Sequence, residues 1–224
     1  MTFMVVRVDG RGFTKFCQSM QMEKPNDLRG IQLMNKAATE VVHNFKDIVI
    51  AYGDSDEYSF VFKRRANLFN RRKDKITSCV VSLFSASYVF YLPQFFKDQV
   101  PTVIPSFDAR MVLYPTMESL KDYLSWRQVD CHINNLYNTT FWALVQQDAQ
   151  TPQEAHKILK GTLSKDKHEI LFTKFKINYN DVAEVYKKGT IIMRLESITE
   201  VSENLVDCQC FYDKYKLDDY LISK

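Results

Sequence analysis

The segment from Asp47 to Phe62, DIVIAYGDSDEYSFVF, does most to limit what this chain can become. Two runs of β-branched and aromatic residues, Ile48 to Tyr52 and Tyr58 to Phe62, flank the turn-forming Gly53-Asp54-Ser55-Asp56-Glu57, and this pattern predicts a β-hairpin. Its tip gathers three carboxylates. A tip that only had to turn could use Asn-Gly, so carboxylates this close invite a partner cation, and oxygen ligands alone favour Mg²⁺. The same residues also suit a plain solvated turn.

Upstream, Phe3 to Val8 reads as a strand that ends in Asp9-Gly10-Arg11-Gly12. A glycine after an acidic residue lets the backbone come close to a ligand and offers a carbonyl oxygen, or it simply turns the chain. From Asn26 or Asp27 as cap, a helix carries Leu28, Ile31, Met34, Ala38, Val41, Val42 and Phe45 on one face. If the first strand lies beside a hairpin strand with that helix across the sheet, Asp9 meets Asp56. Two-metal phosphoryl transfer needs such a pair, with two Mg²⁺ ions about 4 Å apart. Asp9 and Asp56 are therefore the candidate metal ligands, the Gly10 carbonyl lies beside them, and Glu57 or Asp54 adds charge behind.

Lys63-Arg64-Arg65 and Asn70 to Lys75 are basic, and a second helix is predicted from near Asn70, with Val80, Phe84, Tyr88 and Leu92 at helical spacing. Cations in a first helical turn oppose the macrodipole unless an anion neutralises them. Arg72 and Lys75 share a face and can clamp a phosphate or merely face solvent. Lys24 is a further candidate phosphate contact. Residues 93–108 hold three prolines and read as a loop, and Ala109 to Tyr114 reads as a strand. The order of elements suits an α+β fold: a polymerase-palm-like antiparallel sheet backed by helices, with a mostly helical C-terminal half.

Thr116 caps the next helix, along which Leu120, Leu124 and Val129 follow. The helical signal then meets DCHINNLYNTTFW (130–142), whose Asn, His, Tyr and Trp residues offer hydrogen-bonding edges and stacking faces of the kind that read single-stranded RNA. His132 as a structural histidine and Trp142 as core fit equally. Thr151-Pro152-Gln153-Glu154 predicts a capped helix to Lys160, Ser164 starts another that reaches Phe172, and Thr190 to Arg194 is a short strand. From Glu196 the chain is polar and without periodicity.

At 224 residues and net charge +3, the chain can bury a core and permits an acidic partner without requiring one. Cysteines 17, 79, 131, 208 and 210 form no CxxC pair, which argues against zinc and disulfides and for a reducing compartment. The opening apolar run is too short for a signal peptide, and no other run reads as a bilayer span. A cytoplasmic or nuclear protein is expected.

The segments VRVDGRGFTKF (6–16), KPND (24–27), SDEYSFVF (55–62), FNRRKDK (69–75), DYLSWRQVDCHINNLYNTTFW (122–142), TPQEA (151–155), EILF (169–172), INYN (177–180) and KKG (187–189) together resemble the tRNA(His) guanylyltransferase family of the eukaryotic type. The resemblance implies a reverse polymerase that adds guanylate to the 5′ end of tRNA(His). The RNA 5′-monophosphate is adenylylated with ATP, the 3′-hydroxyl of GTP attacks it, and pyrophosphate is removed from the product. Carried over by motif, Asp9, the Gly10 carbonyl and Asp56 match the ligands of two Mg²⁺, with Glu57 as the adjoining acid. Arg72 and Lys75 match phosphate contacts, and Lys24, Asn26 and Ser55 lie in motifs near the nucleotides. His132, Asn134, Asn135 and Asn138 belong to the part tied to tRNA recognition.

A homotetramer in which one tRNA touches several subunits is implied as well. Residues 1–115 are then expected to form the palm-like catalytic domain and 116–224 the mostly helical tRNA-recognition and oligomerisation region, either separate from it or continuous with it. Family chains usually carry a segment before the first strand, so contacts supplied there are expected to be missing. The tail after Arg194 matches no family pattern. Alternatives from the same residues are a template-dependent repair polymerase for tRNA 5′ ends, a nucleotide cyclase and a non-catalytic RNA-binding module.

Overall fold

The computed structural model describes residues 1–97, 99–206 and 209–222. Strand β1 (Phe3–Gly10) leads through a short helix α1 (Phe13–Ser19) to α2 (Leu28–Asn44) and then to the hairpin of β2 (Ile48–Asp54) and β3 (Glu57–Phe62). Next come α3 (Lys73–Phe95), β4 (Phe107–Tyr114), α4 (Met117–Gln147), α5 (Pro152–Leu159), α6 (Ser164–Phe175) and α7 (Glu184–Lys188). Strands β5 (Thr190–Arg194) and β6 (Ile198–Val201) and helices α8 (Gln209–Lys214) and α9 (Leu217–Ile222) follow.

The strands form one antiparallel sheet in the order β4-β1-β3-β2-β5-β6. Period-2 alternation sends each strand's side chains into two different layers. Met4, Val6 and Val8 of β1 and Tyr58, Phe60 and Phe62 of β3 meet the apolar faces of α2 and α3. On the other side Phe3, Val5, Tyr52 and Val61 meet Leu120 and Leu124 of α4, with Phe211, Leu217 and Leu221 from the closing helices. Helices thus cover β2 from both sides, which explains its unbroken apolar run. At about 25 cal/mol per Å² of apolar surface removed from water, these two layers are the main source of stability.

Several expectations need correction. The segment before α3 does not start a helix at Asn70, because Phe69, Asn70 and Arg71 all have positive φ; the helix starts at Lys73 and runs on to Phe95, with Pro93 in its last turn. α3 is also long and apolar enough to cross a bilayer, contrary to the reading that no such run exists, yet Ile76, Val80, Phe84 and Tyr88 pack it onto the sheet. The tail after Arg194 is structured in its described residues, which include β6, α8 and α9. Gln128 of α4 accepts from the Leu205 amide (2.6 Å) and donates to the Glu203 carbonyl (2.8 Å), which straps residues 203–205 to the helix. α4 itself runs for 31 residues straight through the polar DCHINNLYNTTFW segment.

The hairpin tip is tighter than predicted, with Ser55 and Asp56 alone between the strands and Ser55 at φ 54°. A Cβ on Gly53 would stand 2.2 Å from the ring of Tyr58, whose hydroxyl donates to Asn35 in the core at 2.8 Å. Gly53→Ala must displace that ring. A loss of about 3 kcal/mol is expected, lowering Tm by roughly 6–12 °C in a thermal melt.

Candidate active site

β1 and β3 run side by side with Asp9 opposite Glu57, and the Gly10 amide donates to the Asp56 carbonyl at 3.0 Å. This pairing brings the end of the first strand against the hairpin tip, as the sequence suggested. Gly10 allows the contact: a Cβ there would lie 2.8 Å from Asp56 Oδ2 and 2.7 Å from the Phe13 ring. Asp9, Asp54, Asp56 and Glu57 therefore converge on one end of the sheet, where they line a cavity of about 330 Å³. The opposite wall is α4, and the sides are the 22–27 loop and residues 185–190.

Of the residues singled out in the sequence, Asp9, Lys24, Asn26, Ser55, Asp56, Glu57, Asn134, Asn135 and Asn138 all line this cavity. The structure thus gathers four separate segments at one place. Asn135 donates to the Asn26 side chain (2.9 Å) and accepts from the Tyr179 hydroxyl (2.9 Å), so α4 fixes the loop that carries Lys24. Asp27 accepts from the amides of Glu23 and Arg29, both at 3.0 Å, and so closes the same loop and caps α2. The Lys24-Pro25 bond is cis.

Three candidates lie elsewhere. His132 points from α4 toward Tyr179, ring centroids 5.6 Å apart, and burial together with His168 and Lys187 lowers its pKa. Arg72 and Lys75 are exposed at the start of α3. Their neighbour Arg71 donates to the Thr2 carbonyl at 2.8 Å, at the beginning of β1, whereas Asp9 is near its end. At ~3.3 Å per strand residue, the two places are about 20 Å apart.

The electrostatics are those of crowded carboxylates. Burial raises the Asp56 pKa and the Asp9 charge adds to the shift. Asp54 is pushed up to about 6 by burial, against the lowering effect of a hydrogen bond from Cys131, with Asp130 and Asp56 adding repulsion. Glu57 is also raised by burial, but Arg7 (2.8 Å) and Arg127 (3.2 Å) pull in the other direction. Arg7 bridges Glu57 to Asp9 (3.0 Å), and Arg127 bridges Glu57 to Asp130 (3.3 Å). Two guanidinium partners thus hold Glu57 in place beside Asp9 and Asp56.

Among the described residues no three His, Cys, Asp or Glu side chains form a closed metal-holding group, and Cys208 lies outside those residues. Two carboxylates, a backbone carbonyl and substrate oxygens remain as a donor set. That set suits Mg²⁺, which keeps waters and takes one or two carboxylates plus phosphates, and mutual repulsion at Asp9 and Asp56 gives a cation something to neutralise.

The strongly shifted Asp54 gives a pH-dependent test. Its pKa is higher folded than unfolded, so the folded state gains a proton first as pH falls; the favourable contribution is complete below about 3.8 and lost as pH rises through about 6. A shift of this size corresponds to about 3 kcal/mol near neutrality. In EDTA, Asp54→Asn is expected to be more stable than the parent at pH 7.5, with the gain vanishing toward pH 4, as read by denaturant unfolding at each pH.

Arg7, Arg127 and Asn35 were not anticipated from the sequence. Arg7 stands two residues before Asp9 in an apolar strand and so shares its face, while Arg127, Cys131, Asn134 and Asn138 repeat at i, i+4, i+7 and i+11 along α4. Asn35 interrupts the apolar face of α2. It donates to Thr190 Oγ1 (3.0 Å) and Glu200 Oε1 (2.7 Å), tying α2 to β5 and β6.

Comparison with known proteins adds to this geometry. Residues 1–115 match the family model described as tRNAHis guanylyltransferase, and residues 118–216 match the one described as Thg1 C terminal domain, which takes in much of the tail that showed no pattern of its own. A probable tRNA(His) guanylyltransferase from Bos taurus is 55% identical over 199 residues, covering 88% of this chain and 67% of its own length. The chain thus spans about two thirds of that relative. The crystal structure of the tRNA(His) guanylyltransferase from Saccharomyces cerevisiae superposes with a TM-score of 0.88 at 44% identity, covering 95% of this chain and 92% of that one. A bacterial tRNA(His) guanylyltransferase-like protein in complex with ATP shares the fold, with a TM-score of 0.81 at 23% identity over 96% of this chain and 90% of that one.

Proposed function

Because this chain belongs to the tRNA(His) guanylyltransferase family, we propose that it adds a guanylate to the 5′ end of tRNA(His) at the cavity between the hairpin tip and α4. The observation that carries this reading is the meeting of Asp9 and Asp56 across Gly10, at the mouth of a cavity whose other wall is polar.

The reaction takes two displacements. The RNA 5′-phosphate attacks the α-phosphorus of ATP and pyrophosphate leaves; the 3′-hydroxyl of GTP then attacks the adenylylated phosphate and AMP leaves. Pyrophosphate is finally removed from the added nucleotide. Asp9 and Asp56, with the Gly10 carbonyl, would hold two Mg²⁺. When bound, these ions supply charge neutralisation on the triphosphate and a lowered pKa for the attacking hydroxyl. Lys24, placed by the Asn26–Asn135 bond, offers a cation to the phosphates, and Ser55 offers a hydroxyl at the tip. Arg7 and Arg127 keep Glu57 fixed and Asp9 oriented.

Arg72 and Lys75 do not face this cavity in their own chain. In a homotetramer they would meet RNA held by another subunit, and residues 116–216 would supply the surface, including His132, for recognition of the tRNA. The 1–115 and 116–224 division is functional in this reading, since β5 and β6 complete the sheet begun by the first half.

The test is a 5′-extension assay with tRNA(His) carrying a 5′-monophosphate, labelled GTP, ATP and Mg²⁺. One added G is expected, absent with other tRNAs and dependent on ATP unless the RNA bears a 5′-triphosphate. Extension of any 5′-truncated tRNA would instead favour the repair polymerase.

A further inference from the structure

A second concavity, of about 420 Å³, lies on the α4 side of the sheet beyond the edge of that helix, and no part of the proposed reaction uses it. Its walls carry Arg7 of β1, Arg110 and Tyr114 of β4, and Tyr123 and Trp126 of α4, with the Asp122 carboxylate of α4 among them. Arg7 also contacts Asp9 and Glu57, which line the catalytic cavity, and so joins the two.

Three features point to an occupant. Arg7 and Arg110 are directly opposite across the β1–β4 pair, an arrangement of like charges that is destabilising by itself; Asp9 and Glu57 offset the Arg7 charge, which leaves Arg110 the less compensated of the two. Among the described residues Arg110 has one ion pair, a long one to Asp108 at 3.7 Å, and Arg7 Nε is buried with no hydrogen-bond partner. Trp126 is 58% exposed, its ring backed by the Arg127 guanidinium at 3.8 Å, and Tyr114 packs on Tyr123 with centroids 4.9 Å apart and the rings tilted by 31°. A rigid exposed indole, a tyrosine pair and two arginines make a platform for one base and its phosphate. A second copy of the chain would gain little from burying two arginines that face each other.

We propose that this strip of sheet binds an unpaired nucleotide at the single-stranded end of the RNA substrate, with the base on Trp126 and Tyr114 and a phosphate between Arg7 and Arg110. The inference rests on the transfer reading only in taking RNA as the substrate. It adds a place for the RNA end that continues into the catalytic cavity through Arg7. Because the contact is stacking and charge, it selects single-stranded over paired ends and is sensitive to salt.

The test uses two acceptor-stem RNA hairpins, one with a single-stranded 3′ overhang and one blunt, titrated into the full chain. Trp126 and Trp142 are its two tryptophans. Emission quenching by the overhang RNA, lost in Trp126→Phe, is expected. Trp126→Ala should raise the Kd for the overhang RNA by roughly tenfold or more, while Trp126→Phe stays close to the parent. Arg110→Ala should weaken binding and reduce its salt dependence by about one ion. ATP affinity should not change in any of the three.

Equal affinity for both hairpins, or an unchanged Kd in Trp126→Ala, overturns the proposal. A fall in assembly mass with RNA affinity intact would show that the strip is a contact between copies, and would overturn it too. Overhang-selective binding without guanylate transfer would leave this inference standing and remove the transfer reading.

Discussion

Asp56→Asn is expected to lower guanylate transfer by roughly three orders of magnitude or more, since cation-mediated charge stabilisation is worth several kcal/mol and each 1.36 kcal/mol is tenfold in rate. The same substitution should not destabilise the protein. Burial and the Asp9 charge both oppose ionisation of Asp56, so removing its charge relieves repulsion in the folded state without cations. Activity and stability therefore move in opposite directions, which separates a metal-holding carboxylate from one that merely supports the turn. The check is single-turnover kinetics beside a thermal melt in EDTA and again in Mg²⁺. Added Mg²⁺ should raise Tm in the parent and have a much smaller effect in the variant.

Arg127→Met should unfold the protein more readily than any other single charge removal in the site. Arg127 is 8% exposed and is shared between Glu57 and Asp130, and taking it away leaves a carboxylate buried beside Asp54 with Arg7 alone. Breaking a buried pair by removing one partner costs about 3–5 kcal/mol. The paired change Arg127→Met with Glu57→Gln should recover much of that loss, because the stranded charge goes too. A double-mutant cycle in urea measures it. Full recovery of stability without recovery of activity would assign the cluster to holding Asp9 and the hairpin tip in place.

What could be read from the sequence depended on how far each signal was from its partner. The hairpin, β1, the caps at Asp27, Thr116 and Thr151, and strand β5 follow from local patterns, and the meeting of Asp9 with Asp56 follows once β1 pairs with β3. The polar stretch of α4 carried little helical signal because Asn134, Asn135 and Asn138 face a polar cavity, so the helix has no continuous apolar stripe there. The tail showed no periodicity for a similar reason. Its structure comes from long-range anchors such as Gln128 to Leu205 and Asn35 to Glu200, which no window of neighbouring residues contains.

Site membership followed the same rule. Lys24, Asn26 and the α4 asparagines are distant in sequence, and only the packed fold brings them to the carboxylates. Arg72 and Lys75 had the right chemistry for phosphate but occupy the far end of α3, because that helix runs along the sheet and only its later turns, around Tyr88, approach Phe13 and the tip. Arg7 was hidden inside an otherwise apolar strand, although alternation placed it on the face of Asp9.

The most direct test of the central claim is anomalous diffraction from crystals grown with Mn²⁺ and GTP. Mn²⁺ peaks are expected between the Asp9 and Asp56 carboxylates and the Gly10 carbonyl, with the triphosphate running toward Lys24. Mn²⁺ absent from that end of the sheet, or a triphosphate seated on Arg72 and Lys75 of the same chain, would contradict it.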